Sequence, residues 1–363
     1  MSLPVPQPGI LEIAAYVGGE SKVEGVSRVM KLSSNESPLG PSPRAQDAYR
    51  TVTAELHRYP DGGATELRKA IAARYGLDAA RIICGCGSDE LIGLLVNAYA
   101  APGDEVLFSR HGFLMYDIYA RSAGAVPVRV DETALTVDVD ALLGGVTAKT
   151  RIVFVTNPGN PTGTYISAAE LRRLRDGLRE DILLVIDAAY AEYVDRNDYS
   201  NGLELVQETE NTVMLRTFSK IFGLGGARVG WGYFPVGIAD VINRIRSPFN
   251  VTAPSQAAAT AAIRDVEFTT LAKAHNDYWL PWLKEKLTAL GLTTTDSVAN
   301  FVLARFSGTA GKDAAAADAF LKARGIIVRR VASYGLGDCL RITIGLAEEN
   351  EAVVAALKDF LES

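Results

Sequence analysis

The chain has 363 residues, 48% of them hydrophobic and 22% charged, which is enough apolar surface for more than one core and excludes wholesale disorder. A formal charge of −6 gives no general field for nucleic acid or an anionic membrane face, so any phosphate must be captured locally. No apolar run approaches about 18 residues, the start MSLPVPQPGILEIAAYVGG has no basic segment followed by an apolar one, and Cys84, Cys86 and Cys339 form no disulfide framework, so the chain reads as cytoplasmic with reduced thiols.

In chain order, residues 1 to 30 are irregular and read as an arm on a smaller lobe or on a partner chain. RIICGC then reads as a strand, followed by a helix over GSDELIGLLVNAYA (87 to 100) that Pro102 and Gly103 end. Cys84 and Cys86 alternate on that strand, but no second Cys or His pair accompanies them, and no metal site is expected. EVLF (105 to 108), RIVFVT (151 to 156), DILLVID (181 to 187) and NTVMLR (211 to 216) are nearly continuous apolar runs, which suit strands covered on both faces of a mostly parallel sheet. Between two of them, SAAELRRLRDGLRE (167 to 180) opens on Ser and puts Leu171, Leu174 and Leu178 on one face, the pattern of a crossover helix. After about residue 250 the pattern changes to an Ala-rich stretch, a helix through Trp279 and Leu290, and the strands FVLARF, GIIVRRV and CLRITIG. The fold class is therefore α/β, with three expected segments: 1–30 as the arm and part of the small domain, 31–254 as the large domain, and 255–363 as a smaller α+β domain.

Five strand-end loops carry residues suited to chemistry. In TFSKIFGLGGARVGW (217 to 231), Lys220 follows Thr217 and Ser219 directly after a strand, and Arg228 lies eight residues on. A nucleophilic lysine needs a cation-rich, protected setting, and hydroxyls with a guanidinium suit a dianionic phosphate; an exposed lysine beside a structural glycine turn is the plain alternative. Asp187 ends a buried strand at the crevice where α/β proteins bind ligands, and Tyr190 follows three residues later. A buried carboxylate calls for a cation such as a protonated pyridine nitrogen, unless it only caps the next turn. Asn157, in NPGNPTG, would share that crevice if the segment is more than a loop. In GCGSDE, Ser88 and Asp89 sit at a helix start that favours an anion or serve as ordinary caps, and Phe113 offers a flat face to a ring or to the core.

These segments, with LSSNESPLGPSP (32 to 43), YPDGGATELRKAIA (59 to 72), ANFVLARF and GIIVRRVASYGLGDCLRITIG (325 to 345), resemble fold-type I pyridoxal-phosphate aminotransferases of the histidinol-phosphate branch over essentially the whole chain. The resemblance implies a large domain with a mostly parallel mixed sheet flanked by helices. It makes Lys220 the Schiff-base lysine, Asp187 the partner of the pyridine nitrogen, Asn157 and Tyr190 the ligands of the ring oxygen, and Phe113 the stacking aromatic. It places Ser88, Asp89, Thr217, Ser219 and Arg228 about the cofactor phosphate, and brings Tyr59 to the phosphate of a neighbouring subunit, hence a homodimer. Arg341 would grip the donor's carboxylate, with Arg329, Tyr16 and Asn35 about the substrate. Two departures, Ser37 and Cys86 where asparagine is common, leave the reaction class intact. The implied reaction moves an amino group between histidinol phosphate and 2-oxoglutarate. The alternatives are an aromatic or broad-range aminotransferase and, in a different class, a non-catalytic pyridoxal-phosphate sensor of a transcription regulator, which the scarcity of basic residues near the start disfavours.

Overall fold

The computed structural model describes residues 4–15, 18–23, 28–309 and 311–363. Its main sheet has seven strands in the spatial order Ile82–Gly85, Gly230–Tyr233, Thr212–Thr217, Leu183–Asp187, Thr150–Thr156, Glu105–Ser109 and Val126–Val130. Six share one direction, and Gly230–Tyr233 alone runs against them, antiparallel to both of its neighbours. The unalternated apolar runs are explained by cores on both faces. Phe108, Phe154 and Val185 pack with Leu91, Leu95 and Ile242 on one side. Leu107, Val153 and Leu184 pack with Leu171 and Leu174 on the other. The helix Ala168–Gly177 starts where its sequence indicates, with Ser167 Oγ accepting from Glu170 N at 3.3 Å.

A second unit holds a four-stranded antiparallel sheet in the order Arg329–Val331, Leu336–Thr343, Phe301–Arg305 and Thr293–Thr294. Helices Ala314–Lys322 and Ala347–Glu362 bury Ala317, Leu321, Val353 and Leu357 against it. Near the start, Met30–Lys31 pairs in parallel with Ile326–Ile327 and ties the first described strand to this unit.

The cores do not part at residue 255. Ala258, Ala259, Ala262 and Ile263 of helix Ala253–Arg264 pack with Ile71 and Trp231 in the large unit, whereas Leu283 and Leu287 belong to the small one. Small alanine side chains let that helix lie close against Pro43–Thr51 and Thr65–Tyr75, so the changeover falls inside the long helix Val266–Ala289. Among the described residues, no helix is long and apolar enough to cross a membrane.

Candidate active site

The carboxyl ends of the parallel strands open into a cavity of about 460 Å³. Lys220, Asp187, Tyr190, Phe113, Thr217 and Ser219 all line it, as do Ser88, Asp89 and Arg228 from the helix start and the glycine loop. One hollow thus gathers nine of the residues expected about a cofactor.

Asp187 is 4% exposed. Its Oδ2 accepts from the Tyr116 hydroxyl at 2.9 Å, while Oδ1 is buried with no hydrogen-bond partner among the described residues. Burial pushes its pKa up to about 6, against the pull of the Tyr116 hydrogen bond and the Ala189 amide; nearby Asp89 adds to the rise and Lys220 opposes it. A carboxylate held this way is half satisfied, and a cationic N–H donor at Oδ1 would complete it.

Lys220 Nζ donates to Ser34 O at 3.3 Å and lies 5.5 Å from the centre of the Tyr190 ring. The Tyr190 hydroxyl accepts from Asn35 Nδ2 at 2.8 Å. At the far end, Arg228 adopts a left-handed φ of 52° and donates through Nη1 to Gly225 O at 3.0 Å. Two glycines make that corner possible: a Cβ on Gly87 would meet Arg228 Nη2 at 2.6 Å, and one on Gly230 would meet Ser88 N at 2.1 Å. Helix Gly87–Tyr99 therefore presents its first-turn N–H groups beside a guanidinium, a setting for a dianion. Cys86 is the cap residue, so Ser88 and Asp89 lie within the first turn and are not caps. Asp89 Oδ2 accepts from Tyr119 at 3.0 Å, and burial raises its pKa. An amine, a half-satisfied buried acid, an aromatic wall and a dianion corner fit pyridoxal phosphate.

Asn157 does not join this set. Its side chain is buried, with Oδ1 accepting from Ile166 N at 3.0 Å and Nδ2 donating to Ile166 O at 3.2 Å and Ser200 O at 3.3 Å, so it pins the loop behind the cavity. Asn160, three residues on, lines the cavity instead and accepts from Arg341 Nη1 at 2.5 Å. Asn35, expected at the substrate, is 1% exposed and lies behind the wall. Besides holding Tyr190, its Oδ1 accepts from Thr343 Oγ1 at 3.2 Å. Arg341 also donates to Ser33 O at 2.8 Å, and Arg329 faces it across the strand pair, half-buried. Tyr59 is 83% exposed, stacked on Phe249 at 4.7 Å, and contributes nothing to the cavity of its own chain. Tyr16 lies outside the described residues. Sequence reasoning missed Asn160, Thr156 and Tyr116. The last had a signal, since it follows Phe113 by one helical turn.

The family model for aminotransferase class I and II matches residues 27–357. The histidinol-phosphate aminotransferase of Paramagnetospirillum magneticum is 62% identical, covering 99% of both chains, and that of Rhodospirillum rubrum is 57% identical, covering 99% of this chain and 97% of the relative. Among solved structures, the histidinol-phosphate aminotransferase of Sinorhizobium meliloti in complex with pyridoxal-5'-phosphate superposes with a TM-score of 0.88 at 28% identity, covering 97% of this chain and 96% of that one. The aspartate aminotransferase of Thermus thermophilus with maleate, at 24% identity and a TM-score of 0.81 over 92% and 91% of the two chains, shares the fold. The chain belongs to the aminotransferase class I and II family.

Proposed function

We propose that the chain exchanges an amino group between histidinol phosphate and 2-oxoglutarate, with pyridoxal phosphate held covalently by Lys220. The observation that carries the chemistry is the single cavity shared by the Lys220 amine and the buried, half-satisfied Asp187. The choice of substrate is supported by two relatives of that name at 57% and 62% identity over nearly the full chain.

Lys220 would hold the coenzyme aldehyde, Asp187 Oδ1 its ring nitrogen, and Arg228, Ser219 and the first turn from Gly87 its phosphate. Tyr190 and Asn160, both on the cavity wall, would serve the ring oxygen. When bound, the coenzyme supplies an electron sink for the carbon that loses its proton. Lys220 Nζ, released once the substrate amine arrives, would take that proton from the amine-bearing carbon and deliver it, on the same face, to the coenzyme carbon that had carried the aldehyde. Asp187 keeps the ring-nitrogen proton in place throughout. Arg341 takes the carboxylate of glutamate. Arg329, opposite it in register, takes the phosphate of histidinol phosphate, because a guanidinium pairs bidentately with either anion. Tyr59, projecting from its own chain, reaches the phosphate corner of a second copy, which makes the working unit a homodimer.

Steady-state turnover of histidinol phosphate and of phenylalanine, each with 2-oxoglutarate, tests the reading. Phosphate recognition by two arginines predicts a kcat/KM for histidinol phosphate higher by about 100-fold or more. Parity would instead mark a broad-range aromatic aminotransferase. Arg329→Ala should lower kcat/KM for histidinol phosphate, and an unchanged value would remove Arg329 from the site.

A further inference from the structure

We infer that Tyr116 is the positioning residue that aims the free oxygen of Asp187 into the cavity, an inference resting on Asp187 being the partner of the ring nitrogen. Tyr116 lies on helix Leu114–Ser122 and is fully buried. Its hydroxyl is 2.9 Å from Asp187 Oδ2 and 2.8 Å from Thr156 Oγ1. An ionised carboxylate can only accept, so the tyrosine proton belongs to the Asp187 bond and the second bond comes from the Thr156 hydroxyl. The chain of donation then runs one way, from Thr156 to Tyr116 to Asp187.

The ring cannot follow the carboxylate. It is stacked on Phe154 at 4.3 Å with the planes 9° apart, and meets Phe108 edge-on at 5.7 Å and Phe113 at 5.9 Å. Aromatic packing on three sides fixes the hydroxyl, so the carboxylate must turn one oxygen to it and the other to the cavity. Phe113 is the expected face for the coenzyme ring. One rigid side chain therefore locates both the aromatic wall and the acid at the ring's edge, and separates their directions. The other groups that act on Asp187 are Lys220, whose charge favours ionisation, Asp89, whose charge opposes it, and the Ala189 amide, which favours it. Among these, Tyr116 supplies the side-chain hydrogen bond that stabilises the ionised form.

Tyr116→Phe retains the ring and removes only the hydroxyl. In the coenzyme-free protein, Asp187 followed by isotope-edited carboxylate NMR should bind its proton roughly tenfold more tightly in this variant. In the holoenzyme, coenzyme retention should weaken by about 10-fold to 100-fold, the range for a hydrogen bond to a charged group. The pyridine-nitrogen resonance of 15N-labelled coenzyme should move toward the unprotonated position. Thr156→Val should shift all three readouts the same way by less, and Thr156→Ser should restore them. Asp187→Asn serves as the reference. If Tyr116→Phe lowers only the melting temperature and leaves Asp187 titration, affinity and the nitrogen resonance unchanged while Asp187→Asn alters the last two, Tyr116 is mere packing and the Asp187 assignment survives. If Asp187→Asn alters neither, the assignment itself fails, and this inference with it.

Discussion

Arg216 and Asp187 are buried to almost the same degree, 3% and 4% exposed, on adjacent parallel strands of one sheet, yet the chain completes one charge and leaves the other open. Arg216 donates to Glu192 Oε1 from Nε at 3.2 Å and from Nη2 at 2.7 Å, reaches the Tyr75 hydroxyl at 3.3 Å, and lies over the Tyr75 and Trp231 rings. Burial opposes its charge, but Glu192, helped by Tyr75 and Tyr199, more than offsets this and holds its pKa above the ordinary arginine value. Asp187 has one donor side chain and one bare oxygen. A buried charge satisfied from within belongs to the scaffold, and one left incomplete waits for something from outside.

Removing each charge should separate the two roles. Asp187→Ala should reduce turnover by about 10³-fold or more while the melting temperature of the coenzyme-free protein holds or rises; kinetics with calorimetry decide, and a large loss of stability would make Asp187 scaffold. Glu192→Gln should do the reverse. Stranding Arg216 costs about 3–5 kcal/mol, visible as a lower denaturation midpoint, with the turnover of folded enzyme within a few-fold of the parent.

The pH dependence sharpens the contrast. The Asp187 pKa rises on folding from an ordinary 3.8 to about 6, so its stabilising contribution is full below pH 3.8 and is lost as pH rises through 6. For the coenzyme-free protein this amounts to as much as about 3 kcal/mol between pH 4 and 7. Denaturant midpoints across that range should show the decline, and Asp187→Asn should remove it. The smallest effect distinguishes two asparagines in one loop. Asn157→Ala should cost about 1–3 kcal/mol of stability by stranding the groups it now satisfies, while Asn160→Ala, which strands only one donor of Arg341, should lower the midpoint less and raise KM.

Much of this was legible from sequence, for identifiable reasons. The runs ending at Thr156, Asp187 and Arg216 read as strands because both faces of the sheet are covered. Lys220, Asp187 and Tyr190 stood out because strand-end position alone aims them at the crevice. The loop NPGNPTG offered two Asn–Pro pairs, and only its three-dimensional path decides that Asn157 turns inward and Asn160 toward the cavity. Asn35 was found without its role, since the contacts that bury it come from Tyr190 and Thr343, far along the chain. The domain boundary misled because an Ala-rich helix resembles a change of lobe, when its small side chains seat it against the large core.

The contact of Gly230 with the main chain at Ser88 also bears on which changes the molecule tolerates. A backbone-to-backbone fit positions the helix start together with Glu90 Oε2, which accepts from Cys86 N at 2.6 Å, and the Cys86 side chain itself faces solvent. Position 86 is therefore open to substitution, because only its backbone N–H takes part in holding the helix start. Even the smallest added side chain at 230 would jam the anion cup, so directed evolution of this scaffold has room at 86 and none at 230.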